Sequence, residues 1–306
     1  MSAVAKIDGK ALLGAQRWLA VVAPNDWRGI ALVIHAWLTI AVAAALAIVT
    51  AHPVAIVLAI AIIGSRQLGL SILMHEAAHG TLLTDRRRND VVGQWLCALP
   101  LGIDMHAYRG YHMKHHRFAQ QSEDPDLALS AKFPVTRFSM LRKMLRDITG
   151  LTFLRLRIAP LLSTLIRAKS PSRADVALII SNALGMVVAW SIGGLHWFIL
   201  LWLVPLMTWE MLVTRLRNIA EHACVGNDCD PWRVARTTRV SWLERMFIAP
   251  YYVNYHAEHH MFMTVPCYRL PLLHKALGEQ GLLHQQQVPV AHGYFSVVRT
   301  ATGERS

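Results

Sequence analysis

The chain has 306 residues, 54% of them hydrophobic and only 16% charged, with a formal net charge of +12. That balance is too apolar for an average soluble domain and suits a single membrane domain over residues 1–306. The basic residues flank long apolar runs and do not form stripes interleaved with aromatics, which argues against a nucleic-acid partner.

Taken in chain order, residues 10–23 read as a short interfacial helix. They do not read as a cleavable leader, because Pro24, Asn25 and Asp26 interrupt the apolar run too early. Apolar stretches follow at about residues 30–50, 53–74, 174–193 and 195–213, each near the ~20 residues a helix needs to cross a bilayer. They pair into two hairpins with tight turns at His52-Pro53 and Gly193-Gly194. Neither turn contains Lys or Arg, whereas residues 1–28 hold four, 80–173 hold sixteen and 214–306 hold ten. The positive-inside rule therefore puts both termini and a helical cap, residues 75–173 and 214–306, in the cytosol. Within the cap, residues 91–103 are too short to span and predict a re-entrant or surface-lying helix. Residues 133–168 alternate basic and apolar clusters and predict a helix in the headgroup plane. Cys97, Cys224, Cys229 and Cys267 form no framework and are expected to be reduced thiols without a role.

The sixteen histidines are unevenly placed. Eight fall in three motifs: His75 and His79 in HEAAH, His112, His115 and His116 in HMKHH, and His256, His259 and His260 in HAEHH. His222 sits just after the fourth span. Chance supplies only about 0.04 copies of H-x-x-H-H in a chain of this composition, and two are present. Helical spacing lets each triplet aim its three imidazoles at one point and stacks His75 and His79 one turn apart. His75 lies roughly 33 Å along the helix that starts at Pro53, just past the hydrocarbon core. The other motifs fall on the same cytosolic side, so nine imidazoles can meet. Nine exceed what one ion binds, and nitrogen-rich ligation suits iron, zinc or copper, so two metals are expected. His35, His52, His106, His196, His274, His284 and His292 are read as ordinary core or surface residues. A membrane zinc protease built on HEAAH, with Glu76 as base, would leave both triplets without work.

On these residues the chain resembles the membrane fatty acid desaturase and hydroxylase superfamily. HEAAHG at 75–80, YHMKHHRF at 111–118 and NYHAEHHMF at 254–262 are similar to its three histidine boxes in order and in relation to the spans. The resemblance covers roughly residues 28–275. It implies an all-α integral membrane fold with a histidine-rich di-iron site on the cytosolic cap: two non-haem irons ligated by the nine histidines. It further implies O2 as co-substrate, and a separate electron donor such as a ferredoxin with its reductase. Asn218 resembles the element that meets one iron through a water. The three residues between His75 and His79 set the first box apart from the acyl-CoA type. The activity implied is desaturation of a fatty acyl chain on a membrane lipid or carrier. Hydroxylation or ketolation of an alkane, carotenoid or fatty acid, or desaturation of a small metabolite, are the alternatives within the superfamily.

Each ligating imidazole needs an acceptor for its other ring N–H, and Glu76, Glu221, Glu258, Asp124 and Asp126 are the candidates. Arg66, the one basic residue inside a span, is read either as an anchor for a polar substrate group or as a residue reaching the headgroups. Trp202, Trp209 and Trp242 are read as tunnel-lining or, more in keeping with aromatics near span ends, interfacial residues.

Overall fold

The computed structural model describes residues 3–159, 162–163, 166, 172–226 and 229–303. Where one interfacial helix was expected, two short ones form, α1 (Gly9–Leu13) and α2 (Ala15–Val22). They part at Gly14, whose φ of +79° suits glycine. The first hairpin joins α3 (Asp26–Thr50) to α4 (Pro53–His79). Asn25 caps α3 by accepting from the Arg28 N–H at 3.0 Å. Pro53 opens α4 at the position where a missing N–H costs nothing. With 27 residues, α4 rises ~40 Å, more than the ~30 Å hydrocarbon core. Its last turns therefore stand clear of the lipid, and there it carries His75 and His79.

The segment after α4 folds as α5 (Arg86–Val92), a π-helical turn (Gly93–Ala98) and a 3₁₀ turn (Leu99–Leu101). Trp37 Nε1 donates to the Leu96 carbonyl at 3.0 Å, and Asn182 Nδ2 donates to the Leu99 carbonyl at 3.2 Å. Both donors lie near the middle of helices long and apolar enough to span, so residues 91–103 pack between these helices. Next come α6 (Met105–Phe118), which carries the second histidine motif, and α7 (Arg137–Ile148). Helix α7 exposes Phe138, Leu141 and Leu145 on one face and buries Met140 and Asp147 on the other, as a headgroup-plane helix should. The remainder of the element expected at 133–168 continues through Leu151–Phe153 and Leu154–Ile158. Residues 160–161, 164–165 and 167–168 lie outside the described residues.

The second hairpin joins α8 (Arg173–Ile192) to α9 (Leu195–His222), completing, among the described residues, four helices long and apolar enough to cross a membrane. The protein is an integral membrane protein. Helix α9 runs past residue 213 to His222. It widens into a π-helical turn at Ile199–Leu203 just before Pro205, which has no N–H to donate. The cap then adds a two-stranded parallel sheet, β1 (Thr237–Arg239) against β2 (Val290–His292), which the sequence did not suggest. Among the described residues, four helices of six residues or more complete it: α10 (Trp242–Phe247), α11 (His256–Met261), α12 (Leu270–Glu279) and α13 (Gly293–Ala301). One continuous core runs from Ile63 and Leu68 in α4 through Val213 in α9 to Leu273 and Leu277 in α12. Burying a leucine of the cap contributes about 1.5–3 kcal/mol relative to leaving it in water.

Candidate metal centre

The last turn of α4 is fixed from three sides. Gly80 ends the helix with φ +78°. Asn89 Nδ2 donates to the Ala77 carbonyl at 2.8 Å, while Arg109 donates to the Ala77 and Ala78 carbonyls at 3.1 and 2.9 Å. The guanidinium thus adds donors to the carbonyls at the C-terminal end of the helix, where the negative end of its dipole favours a cation. Gly93 packs against Ala77, between the two histidines of the motif, so closely that an added Cβ would lie 2.3 Å from the Ala77 Cβ.

The nine histidines come together as two groups. His75, His79, His112, His116 and His259 form one, and His115, His222, His256 and His260 form the other, with the ligand atoms of each group within 4.8 Å of one another. The triplets do not aim at single points as the spacing suggested. Residues i and i+4 sit about 40° apart around a helix, whereas i+3 lies some 100° from i+4. Helix α6 accordingly sends His112 and His116 to the first group and His115 to the second, and α11 sends His259 to the first and His256 and His260 to the second.

Two of the outer nitrogens have hydrogen-bond acceptors. His115 Nδ1 donates to Asp124 Oδ1 at 2.8 Å, and His222 Nδ1 to the Val234 carbonyl at 3.1 Å. Since both partners only accept, each ring directs its Nδ1 proton outward and its Nε2 into the group. Burial, reinforced by neighbouring imidazoles, holds His112, His116, His256, His259 and His260 well below the usual histidine range, so these rings are neutral. His75 Nε2 and His79 Nε2 are buried without any hydrogen-bond partner. Buried, converging, unprotonated nitrogens are costly among themselves and fit metal cations.

Of the five expected acceptors, Asp124 makes the hydrogen bond just described. Glu221 stands 3.4 Å from His256 Nδ1 and accepts from Arg217 at 2.6 Å; Glu76 stands 3.4 Å from His75 Nδ1. Asp126 is 3.8 Å from His115 Nδ1 and takes its hydrogen bond from the Tyr111 hydroxyl. Glu258 departs from the expectation, since its carboxylate meets His274 and Thr237 and no member of the two groups. Its place two residues after His256, about 200° around the helix, is the signal that would have shown it. Asn218, one turn before His222, lines a polar cavity of about 180 Å³ together with His112, His115, His222 and His256.

A family model for fatty acid desaturases matches residues 51–293. The chain belongs to that family. Among curated proteins, this family member is 28% identical over 239 residues to a dihydrorhizobitoxine desaturase of Bradyrhizobium elkanii, covering 72% of the chain and 66% of that protein. It is 26% identical over 229 residues to a beta-carotene ketolase of a Paracoccus species, covering 74% of the chain and 83% of that protein. It is also 26% identical over 212 residues to a sphingolipid delta(4)-desaturase of Drosophila melanogaster, covering 66% of the chain and 60% of that protein.

Membership in this oxidoreductase family displaces the protease alternative, and local geometry agrees. Glu76 Oε2 accepts from the Thr81 hydroxyl at 2.9 Å and the Cys267 N–H at 2.8 Å, so it is engaged in packing and not free to activate water. Arg66 and Trp209 also have local tasks in this desaturase-family chain. Arg66 bonds the Met246 carbonyl and Ser65 the Phe247 carbonyl, capping the end of α10, while Trp209 Nε1 donates to Ser65 Oγ at 2.9 Å. Trp202 stacks on Trp37 at 5.6 Å, and both line an apolar cavity of about 380 Å³ among the spans that no histidine of the two groups touches. Trp242 is exposed on α10. Sequence reasoning missed the Val234 carbonyl, which carries no side-chain signal. It also missed Arg236, whose guanidinium caps the end of α9 through the carbonyls of Ala220, Ala223 and Cys224.

Proposed function

We propose that the two histidine groups each hold one non-haem iron and that the protein is an O2-dependent desaturase of a fatty acyl chain carried by a membrane lipid. The observation that carries this reading is the division of nine histidines, eight buried and His79 half-buried, into adjacent groups of five and four that share no residue. Iron bound there would supply the oxidising power toward an unactivated C–H bond that redox-inert zinc lacks. Overall, desaturation removes two hydrogens from the chain and, with two electrons and two protons from an external donor such as a ferredoxin system, reduces O2 to two waters.

The protein's own residues prepare that chemistry. The four-histidine group has one ligand fewer, and Asn218 beside it is placed to hold a water. Asp124, Glu221, Glu76 and the Val234 carbonyl fix the imidazoles in orientation. The distribution of basic residues puts this site and both termini in the cytosol. A substrate embedded in the bilayer suits a site at the cytosolic end of long apolar helices, and the similarity to a sphingolipid desaturase is in keeping with it.

The similarity to beta-carotene ketolases, which extends over 83% of one of them, favours oxygen insertion into an apolar substrate as a second reading. Both outcomes begin by removing hydrogen from carbon and differ in the second step. Product analysis of cells expressing the chain under 18O2 separates them. Desaturation sends the label to water and leaves the organic product unlabelled. One labelled oxygen on carbon in the main product would replace the desaturase reading with the hydroxylase or ketolase one.

A further inference from the structure

Helix α11 has only six residues and no side-chain cap at its start, yet it presents three of the nine histidines. A helix that short does not hold itself in place. Glu258, in the middle of the histidine motif, is completely buried and faces away from both groups. Its Oε1 accepts from His274 Nδ1 at 2.6 Å, and its Oε2 accepts from the Thr237 hydroxyl. His274 belongs to α12 and Thr237 to β1, so one carboxylate joins three elements. The same strand grips the residues leading into α11, because Asn254 Nδ2 donates to the Thr238 carbonyl and the Thr238 N–H to the Asn254 carbonyl, both at 2.9 Å. The residues entering β1 also hold the end of α9, through Val234 to His222 and through Arg236 to the terminal carbonyls.

We propose that Glu258 and His274 are positioning residues for both metal groups at once, an inference that rests on reading the histidine groups as metal sites. The carboxylate holds α11 against α12 and β1. Helix α11 supplies His259 to one group and His256 and His260 to the other, so slackening this one contact opens both. His274, read from sequence as an ordinary residue, acquires its importance only through Glu258. Removing its N–H leaves a buried carboxylate with one hydroxyl donor, and α11 must shift or admit water to relieve it.

The test is anaerobic loading of the purified full chain with Fe(II), followed by chelator competition, metal counting and a melting scan. The variants are His274→Leu, His274→Asn, which keeps an N–H donor near the place of Nδ1, and Asp147→Asn. Asp147 pairs with Arg215 between α7 and α9, so its variant serves as a control for loss of stability alone. His274→Leu should lose iron from both groups at a chelator concentration about tenfold lower than the parent protein. His274→Asn should recover most of that difference, and Asp147→Asn should lower the melting midpoint without releasing iron. If His274→Leu does not fold, His274→Gln, whose amide is displaced by one carbon, takes its place with the same expectation. Iron retention equal to the parent, loss from one group only, or iron loss in Asp147→Asn that tracks melting in the same way would each overturn the proposal. A parent protein that binds no metal would refute the metal-site reading and this inference with it, whereas a fully loaded parent beside an unaffected His274 variant would refute this inference alone.

Discussion

The Nε2 atoms of His115 and His222 stand 3.2 Å apart, while each ring donates its Nδ1–H to an acceptor on the other side. A metal cation lying between these atoms and their neighbours would be bound by both rings at once. Metal removal should therefore destabilise the protein beyond simple loss of a ligand. Binding at a hundredfold excess over Kd is worth about 2.7 kcal/mol per site, and in a chain of this size each kcal/mol moves the melting midpoint by about 2–4 °C. Chelation should lower the midpoint by about 5 °C or more, and Fe(II) should restore it. An unchanged midpoint would mean the histidines are satisfied without metal.

Asp124 accepts from His115 Nδ1 and from the backbone N–H groups of Gln120 and Asp126. Asp124→Asn keeps the shape but replaces one accepting oxygen with a donor and removes the charge that supports His115 as a ligand. Iron affinity should fall about 10–100-fold, with secondary structure intact by circular dichroism. Parent-like affinity would remove Asp124 from the site.

Gly93→Ala tests how closely the segment after α4 sets the first motif. The new methyl would sit 2.3 Å from the Ala77 Cβ and 2.6 Å from Met105 Sδ. Overpacking of this kind costs about 1–3 kcal/mol, and the displacement falls on the turn carrying His75 and His79. A melting midpoint several degrees lower, with reduced iron content, is expected. A parent-like variant would show that the segment yields without moving α4.

Much of this arrangement was readable before any coordinates. Hydropathy and helix length placed the four spans, because a bilayer demands long apolar runs whatever their neighbours; the spacing of the motifs picked out eight of the nine histidines, and His222 was added from its place after the fourth span. The division into groups of five and four was not readable. It depends on how α6 and α11 are rotated against each other, which no residue of either helix determines alone. Glu258 illustrates the limit: an acid between histidines reads as a partner for them until its angular position is considered. The continuation of α9 to His222 escaped the hydropathy reading because Arg215, Arg217 and Glu221 end the apolar run, although the cap encloses that part of the helix. The β1–β2 pair is three residues per strand and joins segments some fifty residues apart, too little pattern to find in a sequence.

Topology is open to direct labelling. The proposed topology has both termini cytosolic, so a cysteine placed at Gly194 in the turn between α8 and α9 should react with a membrane-impermeant thiol reagent from outside intact cells. One placed at Ala3 should react only after lysis. The background is set by Cys224 and Cys229, since Cys97 and Cys267 are buried. Labelling of position 3 from outside would invert the arrangement and separate the site from cytosolic electron donors.

The most direct measurement is the metal content of the purified protein beside that of His79→Ala and His222→Ala, with iron and zinc counted per chain. His79 belongs to the five-histidine group and His222 to the four-histidine group. Two irons are expected in the parent and about one in each variant, with turnover abolished in both, because an incomplete coordination sphere cannot support the chemistry. A parent chain holding a single stoichiometric zinc, or an active His222→Ala variant that keeps both irons, would contradict the two-iron site.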